Sequence, residues 1–268
     1  MPPETTENAE SPALPEKVSD SLPLSIVIPA HNEAENICAL LDLIASENYP
    51  CEIIVSNSGS TDQTAQVVKE YIQAHPDRDI KLVESQLGVS HARNDGANAA
   101  QNDHILFLDA DVKFRPGFFI RIVNNFQTRN LDAAGFDIEP DSDLLIDQIM
   151  FETQNKLQGV LQHIPNYVIC TGLAMMVKKK FHQEEIGGFE TARHVHEDAV
   201  WGQEAARKGR FGIIKERVIF NINRLRRHGR IGFAILHTRN ALSVWLKGKP
   251  SRQMIEEYNH DRNGNKFR

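Results

Sequence analysis

From Leu24 onward, short apolar runs alternate with longer stretches whose apolar residues recur every three or four positions. "LSIVI", "EIIVS", "IKLVES" and "HILFL" have the length and β-branched content of buried strands. Between them, "PAHNEAENICALLDLIASE" places Ile37, Leu40, Leu41 and Ile44 on one helical face. "NSGSTDQTAQVVKEYIQAHP" predicts a second helix, with Ser60 and Gln63 in capping-box spacing and Asp62 in its first turn. "SHARNDGANAAQ" predicts a short third helix. Strand–helix alternation of this kind predicts an α/β fold with a Rossmann-like, mostly parallel central sheet flanked by helices on both faces.

The second half is less regular. "PGFFIRIVNNFQT" and "LLIDQIMFETQNKLQGVLQ" predict helices, and "LDAAGFDI" and "YVICTGLAMMVKK" predict strands. "HEDAVWGQEAARKG" predicts a helix with acids in its first turn, where the macrodipole favours them. "GFAILHTRNALSVWLKG" predicts a last helix, whose apolar side would lie on the domain or on a membrane surface; His237 and Arg239 exclude a span. Residues from about 248 to 268 are polar and predict a loose tail, and residues 1–22, acidic and Pro-rich, predict a disordered one.

Composition narrows the class. A length of 268 residues, 41% apolar and 25% charged, fits a soluble globular chain. The opening residues carry neither a basic start nor an apolar stretch, so no signal peptide is expected. No run reaches the roughly 18 apolar residues of a membrane span. A cytoplasmic location follows as the expectation, with peripheral membrane contact left open. The net charge of −6 argues against nucleic acid as a partner. Cys38, Cys51 and Cys170 are scattered, which suggests core residues in a reducing compartment and no zinc site.

Ligands of open α/β sheets bind outside the carboxyl ends of the strands. Three polar clusters, "PAHNE", "SNSGSTD" and "DAD", each follow a strand's last apolar residue, so they are expected to converge on one edge. Asp109 and Asp111, two apart, either cap a turn or share a hard cation such as Mg²⁺ or Mn²⁺. Glu33 and the "SNSGSTD" loop either start helices or hold a base or ribose. Arg93 suits a diphosphate or a carboxylate, with a surface salt bridge as the alternative. "RLRRHGR" is a solvated basic face, an acidic-lipid contact, or a loop closing on a diphosphate with His228 near a metal. Glu197 and Asp198 either begin a solvated helix or supply a base and its assistant at a hydroxyl.

Taken in order, "LSIVIPAHNEAENI", "EIIVSNSGSTDQTAQVV", "ARNDGANAA", "HILFLDADVKFRPGFF", "EEIGGFE" and "HEDAVWGQEAARKG" resemble the family-2 glycosyltransferases, which have the GT-A fold. The resemblance runs from about residue 24 to 210. It implies one domain, with a nucleotide-sugar-binding half at 23–112 and an acceptor-binding, catalytic half at 113–247. It implies a divalent metal on Asp111 and Asp109, with His228 as a further ligand. Pro29, His31, Glu33, Asn57, Ser58, Asp62, Arg93, Asn94, Asp109, Ala110 and Arg227 would face the donor. Asp198 would be the general base of an inverting, non-processive transfer, with Glu197 assisting. The implied donor is a nucleoside-diphosphate sugar, a UDP-sugar favoured, and the acceptor is an unspecified hydroxyl on a glycan, a lipid-linked or a small molecule.

Two departures shape that reading. Asn57 and Ser58 stand where the family commonly has Asp-Asp or Asp-Gly, the first acid often gripping uracil; an amide oxygen still accepts from a uracil N–H but the same group also donates. The Gln-x-x-Arg-Trp element of processive synthases is absent, and "RLRRHGR" stands near its place. The rival readings are a sugar nucleotidyltransferase, opposed by "PAHNE" where a Gly-rich basic loop would stand, and a non-catalytic nucleotide-sugar-binding homologue.

Overall fold

The computed structural model describes residues 22–164, 168–192 and 196–222. Arg227, His228, the expected last helix and both expected tails beyond those limits lie outside the described residues.

Seven strands form one sheet: β1 (Leu24–Ala30), β2 (Cys51–Ser58), β3 (Ile80–Ser85), β4 (His104–Leu108), β5 (Ala133–Pro140), β6 (Ala174–Lys178) and β7 (Phe211–Phe220). Their spatial order is β3-β2-β1-β4-β6-β5-β7. β1, β2, β3 and β4 pair in parallel, β6 runs antiparallel to β4 and β5, and β5 pairs in parallel with β7. The sheet is mixed and mostly parallel.

Alternation along the strands builds two cores. Leu24, Ile26 and Ile28 of β1, with Leu106 and Leu108 of β4, face α1 (Ile37–Ser46), α2 (Thr64–Ala74) and α4 (Phe118–Thr128). Val27, Ile54, Ile105 and Phe107 face the other way, towards α3 (Val89–Ala99) and α6 (Glu197–Lys208). Each strand is covered on both sides, which is why it reads as a continuous apolar run. Ile37, Leu40, Leu41 and Ile44 are the buried face of α1, as their spacing predicts. α3 lies especially close to the sheet at Gly96, where a Cβ would collide with Val27 and Ser56.

Several expectations need correcting. α2 begins at Thr64, so Ser60 and Gln63 form no capping box. Instead Asp62 precedes the helix and accepts from the Thr64 N–H at 2.9 Å, while Ser60 Oγ accepts from the Asn32 N–H at 3.0 Å. The expected strand in 167–179 is confined to β6. β7, with the sequence "FGIIKERVIF", and a π-helical turn at Phe181–Ile186 have no counterpart in the sequence reading. Lys215, Glu216 and Arg217 obscure β7 by interrupting its apolar alternation. α5 (Leu145–Leu161) agrees with its prediction.

Candidate active site

The carboxyl ends of β1, β2 and β4 lie side by side, and the polar clusters that follow them meet there. Asn32 adopts the left-handed conformation at φ 57°, one that asparagine tolerates better than most residues. Its Oδ1 accepts from the Thr61 N–H at 2.8 Å and the Asp62 N–H at 3.2 Å. In return Asp62 Oδ2 accepts from the Ala34 N–H at 3.3 Å, and Thr64 Oγ1 from the Glu33 N–H at 2.8 Å. His31 Nδ1 lies 2.8 Å from the Ser58 carbonyl. Asp62 thus staples the first loop to the second.

Asn57 and Ser58 are buried at the end of β2. Asn57 Nδ2 donates to Glu84 at 2.6 Å while its Oδ1 accepts from the Ser60 N–H at 3.3 Å. Ser58 Oγ donates to the Gln86 carbonyl at 3.2 Å and accepts from the Gly88 N–H at 2.8 Å, holding the loop that opens α3. Pro29 is half-buried at the same edge.

Asp109 and Asp111 follow β4. Asp109 is half-buried, Ala110 is buried and Asp111 is exposed. The Asp109 N–H donates to the Leu173 carbonyl at 3.0 Å, so the first acid is fixed by backbone and the second projects from the edge. Glu33 lies in the same field. Burial chiefly, and then repulsion from Asp111, Asp109 and Asp62, push its carboxyl up to about 7, against a lowering bond from Asn36. Burial lifts Asp109 to about 6, with Arg93 opposing and Asp111 adding to the rise.

Arg93 joins this pair to the second one. Its side chain is 2% exposed. Nη1 donates to Glu197 at 2.8 Å, and Nη2 donates to Asp109 and to the Gly172 carbonyl, both at 3.0 Å. Burial disfavours the cation, but Asp109, Glu197 and Asp198 together outweigh it. Both terminal nitrogens therefore face protein acceptors. In this arrangement Arg93 bridges the acid pairs, and its contact is a buried ion pair rather than a surface one.

Glu197 and Asp198 open α6 and diverge, as adjacent helical residues must. Glu197 turns to Arg93. Asp198 accepts from the Gly172 and Ala199 N–H groups, both at 2.7 Å. Burial raises both carboxyls, and the Arg93 charge opposes the rise.

Asn94 clamps the neighbouring loop, with Oδ1 accepting from the Phe189 N–H and Nδ2 donating to its carbonyl, both at 2.8 Å. Phe189 stacks on Trp201 at 5.6 Å and carries the Arg93 guanidinium 5.3 Å above its ring. Trp201 Nε1 donates to the buried His182 Nδ1 at 3.1 Å. A cleft beside Glu197 is lined by Gly187, Gly188, Glu190, Trp201 and Glu204. The sequence reading missed Gly172, Phe189, His182 and Trp201 as parts of the site. "GGF" inside "EEIGGFE" is the sequence signal that points to Phe189, and "HEDAVWGQEAARKG" contains Trp201; Gly172 and His182 have none.

Among the described residues, no three His, Cys, Asp or Glu side chains stand close enough to hold a metal ion by themselves. The donor set nevertheless fits a hard divalent cation that keeps open positions for phosphate oxygens: two carboxylates two residues apart, in a field negative enough to raise Glu33. No described helix is long and apolar enough to cross a membrane.

A mostly parallel sheet with two acid pairs meeting across its carboxyl edge defines an α/β domain of the GT-A type. Its relatives make the family specific: the model for glycosyl transferase family 2 matches residues 25–184, and the chain belongs to that family. Glycosyltransferase AglE of Haloferax volcanii is 30% identical over 126 residues, 46% of this chain and 41% of the relative. The 4,4'-diaponeurosporenoate glycosyltransferase of Staphylococcus aureus is 38% identical over 109 residues, 39% of this chain and 28% of the relative. The chain thus spans less than half the length of either. Solved structures share the fold, two of them with a bound nucleotide sugar. Mannosyltransferase PcManGT from Pyrobaculum calidifontis, in complex with GDP-Man and Mn²⁺, aligns at a TM-score of 0.65 and 20% identity, covering 95% of this chain and 72% of that one. S. aureus TarS 1–349, in complex with UDP-GlcNAc, aligns at 0.59 and 18%, covering 75% and 58%.

Proposed function

We propose that this chain transfers a sugar from a nucleoside-diphosphate sugar, a UDP-sugar favoured, to an acceptor hydroxyl, with inversion at the anomeric carbon. The observation that carries the reading is the Arg93 bridge, which joins the Asp109 acid pair to the Glu197–Asp198 pair. The nucleotide-sugar complexes of PcManGT and TarS support the donor class. In this reading residues 23–112 hold the donor and residues 113–247 the acceptor.

Asp111, with the Asp109 oxygen that Arg93 leaves open, would hold Mn²⁺ or Mg²⁺, which when bound would neutralise the charge developing on the departing diphosphate. The loops that Asn32 and Asp62 staple together form the nucleoside wall, and Glu33 accepts from the ribose or base. Asp198 takes the acceptor hydroxyl's proton as that oxygen attacks; its buried carboxyl is more basic than an exposed one, as general-base work requires. Glu197, held by Arg93, orients the acceptor from the cleft beside Trp201. Arg227 would pair with the diphosphate and His228 would be a further metal ligand.

A donor screen tests the proposal. Purified protein is given UDP-, GDP- and dTDP-sugars with and without Mn²⁺, and metal-dependent binding and nucleoside-diphosphate release are measured. Binding of a nucleotide sugar that needs the metal and is lost in Asp111→Ala is the expected result. Indifference to every nucleotide sugar, with metal present, refutes it.

A further inference from the structure

α5 is inside out. Its buried side carries Asp147, Asn155 and Gln158 beside Phe151, whereas Leu145, Ile146, Ile149, Leu157 and Val160 are exposed on the other side. The inward polar residues have a reason. β5 shifts register against β7 between Phe136 and Asp137, which frees backbone groups from the ladder. Asn155 pairs with the N–H and carbonyl of Ile138 at 3.0 and 2.8 Å, and Gln158 donates to the Phe136 carbonyl at 3.1 Å. No such need places aliphatic residues outward. Val160 is 66% exposed and Leu145 73%.

The outward stripe is symmetric about Thr153. Ile149 and Ile146 lie four and seven residues before it, Leu157 and Val160 four and seven after it. Two such helices laid antiparallel across a two-fold axis at Thr153 bring Ile149 of each against Leu157 of the other, and Ile146 against Val160. This is the self-complementarity an isologous contact demands. The spacing of four and three is also that of helices packed a few tens of degrees off antiparallel. The five aliphatic side chains on the outer side of α5, each 50–73% exposed, offer on the order of 350 Å² of apolar surface per copy. At the usual apolar share of an interface, slightly over half, that corresponds to about 600 Å² per partner, the lower end of the standard size. Residues 141–164 carry Asp141, Asp143, Asp147 and Glu152 against Lys156 alone, which disfavours an anionic lipid surface.

We propose that a second copy of this chain covers the outer face of α5, antiparallel about Thr153. The test uses the full chain in sedimentation velocity over a wide concentration range. The parent is expected at twice the 30.3 kDa chain mass. Ile149→Glu and Leu157→Lys, both at exposed positions, should each weaken dimerisation by roughly tenfold or more. An equal mixture of the two should restore it, because each glutamate then meets a lysine. Thr153→Lys, at an already exposed polar position, sets two like charges on the axis and should also give monomers. A parent that is monomeric throughout overturns the proposal, as does a dimer that all three substitutions leave intact. So does a monomeric parent whose flotation with phosphatidylglycerol vesicles Ile149→Glu abolishes, which assigns the face to lipid. A monomer whose α5 amides resist exchange only while residues 223–268 are present assigns the face to the chain's own end, and equally overturns the proposal.

Discussion

Arg93 Nη1 lies 2.8 Å from Glu197 Oε1, although 104 positions separate the two residues in sequence. The pair locks the start of α6 to α3, and through Asp109 it locks both to the end of β4. A single buried cation therefore sets the distance between the acids expected to meet the donor and those expected to meet the acceptor. In the dry interior the bridge depends on charge balance. Removing one partner leaves the others buried and uncompensated.

Arg93→Met is accordingly expected to cost about 3 kcal/mol or more in urea unfolding, because Glu197 and Asp109 lose their counter-charge. Arg93→Lys should recover only part of this, since one ammonium cannot reproduce a fork directed at two carboxylates and a carbonyl. A Lys variant as stable as the parent contradicts the bridging role.

Gly172 is there for close approach. A Cβ would stand 2.7 Å from Arg93 Nη2 and 3.2 Å from Asp198 Oδ2. Gly172→Ala should displace one or both, at about 1–3 kcal/mol, and should reduce transfer more than it reduces nucleotide affinity. Unchanged turnover would remove the Asp198–Gly172 contact from the mechanism.

His182 gives a stability effect with a definite sign. Burial pushes its imidazole down from 6.5 to about 4, so it stays neutral in the fold over pH values where the unfolded chain protonates. Its stabilisation is complete above about pH 6.5 and is lost as pH falls towards 4, amounting to about 3 kcal/mol at the acid end. Thermal midpoints of the parent should fall across this window. His182→Phe, less stable at neutral pH because Trp201 Nε1 loses its acceptor, should show a shallower fall.

The two aspartates should separate binding from chemistry. Asp198→Asn keeps the shape and the backbone contacts on one oxygen but cannot take a proton. Nucleotide affinity should hold within about threefold, and turnover should fall by about a hundredfold or more. Asp111→Asn should do the reverse in part, weakening metal-assisted donor binding. Isothermal titration beside product release distinguishes them, and turnover persisting in Asp198→Asn ends its assignment as base.

Much of the fold is legible in the sequence because buried parallel strands are apolar throughout and their helices repeat every three or four positions. β1 to β4, α1 and the convergence of their trailing polar loops follow from that pattern alone. β7 is not legible, since an edge strand with Lys215, Glu216 and Arg217 lacks a clean alternation. The expected capping box fails for another reason. Ser60 and Gln63 have the right spacing to begin a helix locally, yet the Asn32 N–H from another loop takes the Ser60 hydroxyl, and α2 begins only at Thr64.

By itself, then, the sequence determined the strand–helix order from β1 to β4, the edge at which polar residues gather and the family those residues mark. Tertiary structure alone decided the partners. That Arg93 would face carboxylates, that Asn94 would hold Phe189, and that α5 would turn its aliphatic residues outward depend on contacts between distant segments. Helical or strand periodicity fixes which side of an element a residue occupies, but only packing fixes what stands opposite it.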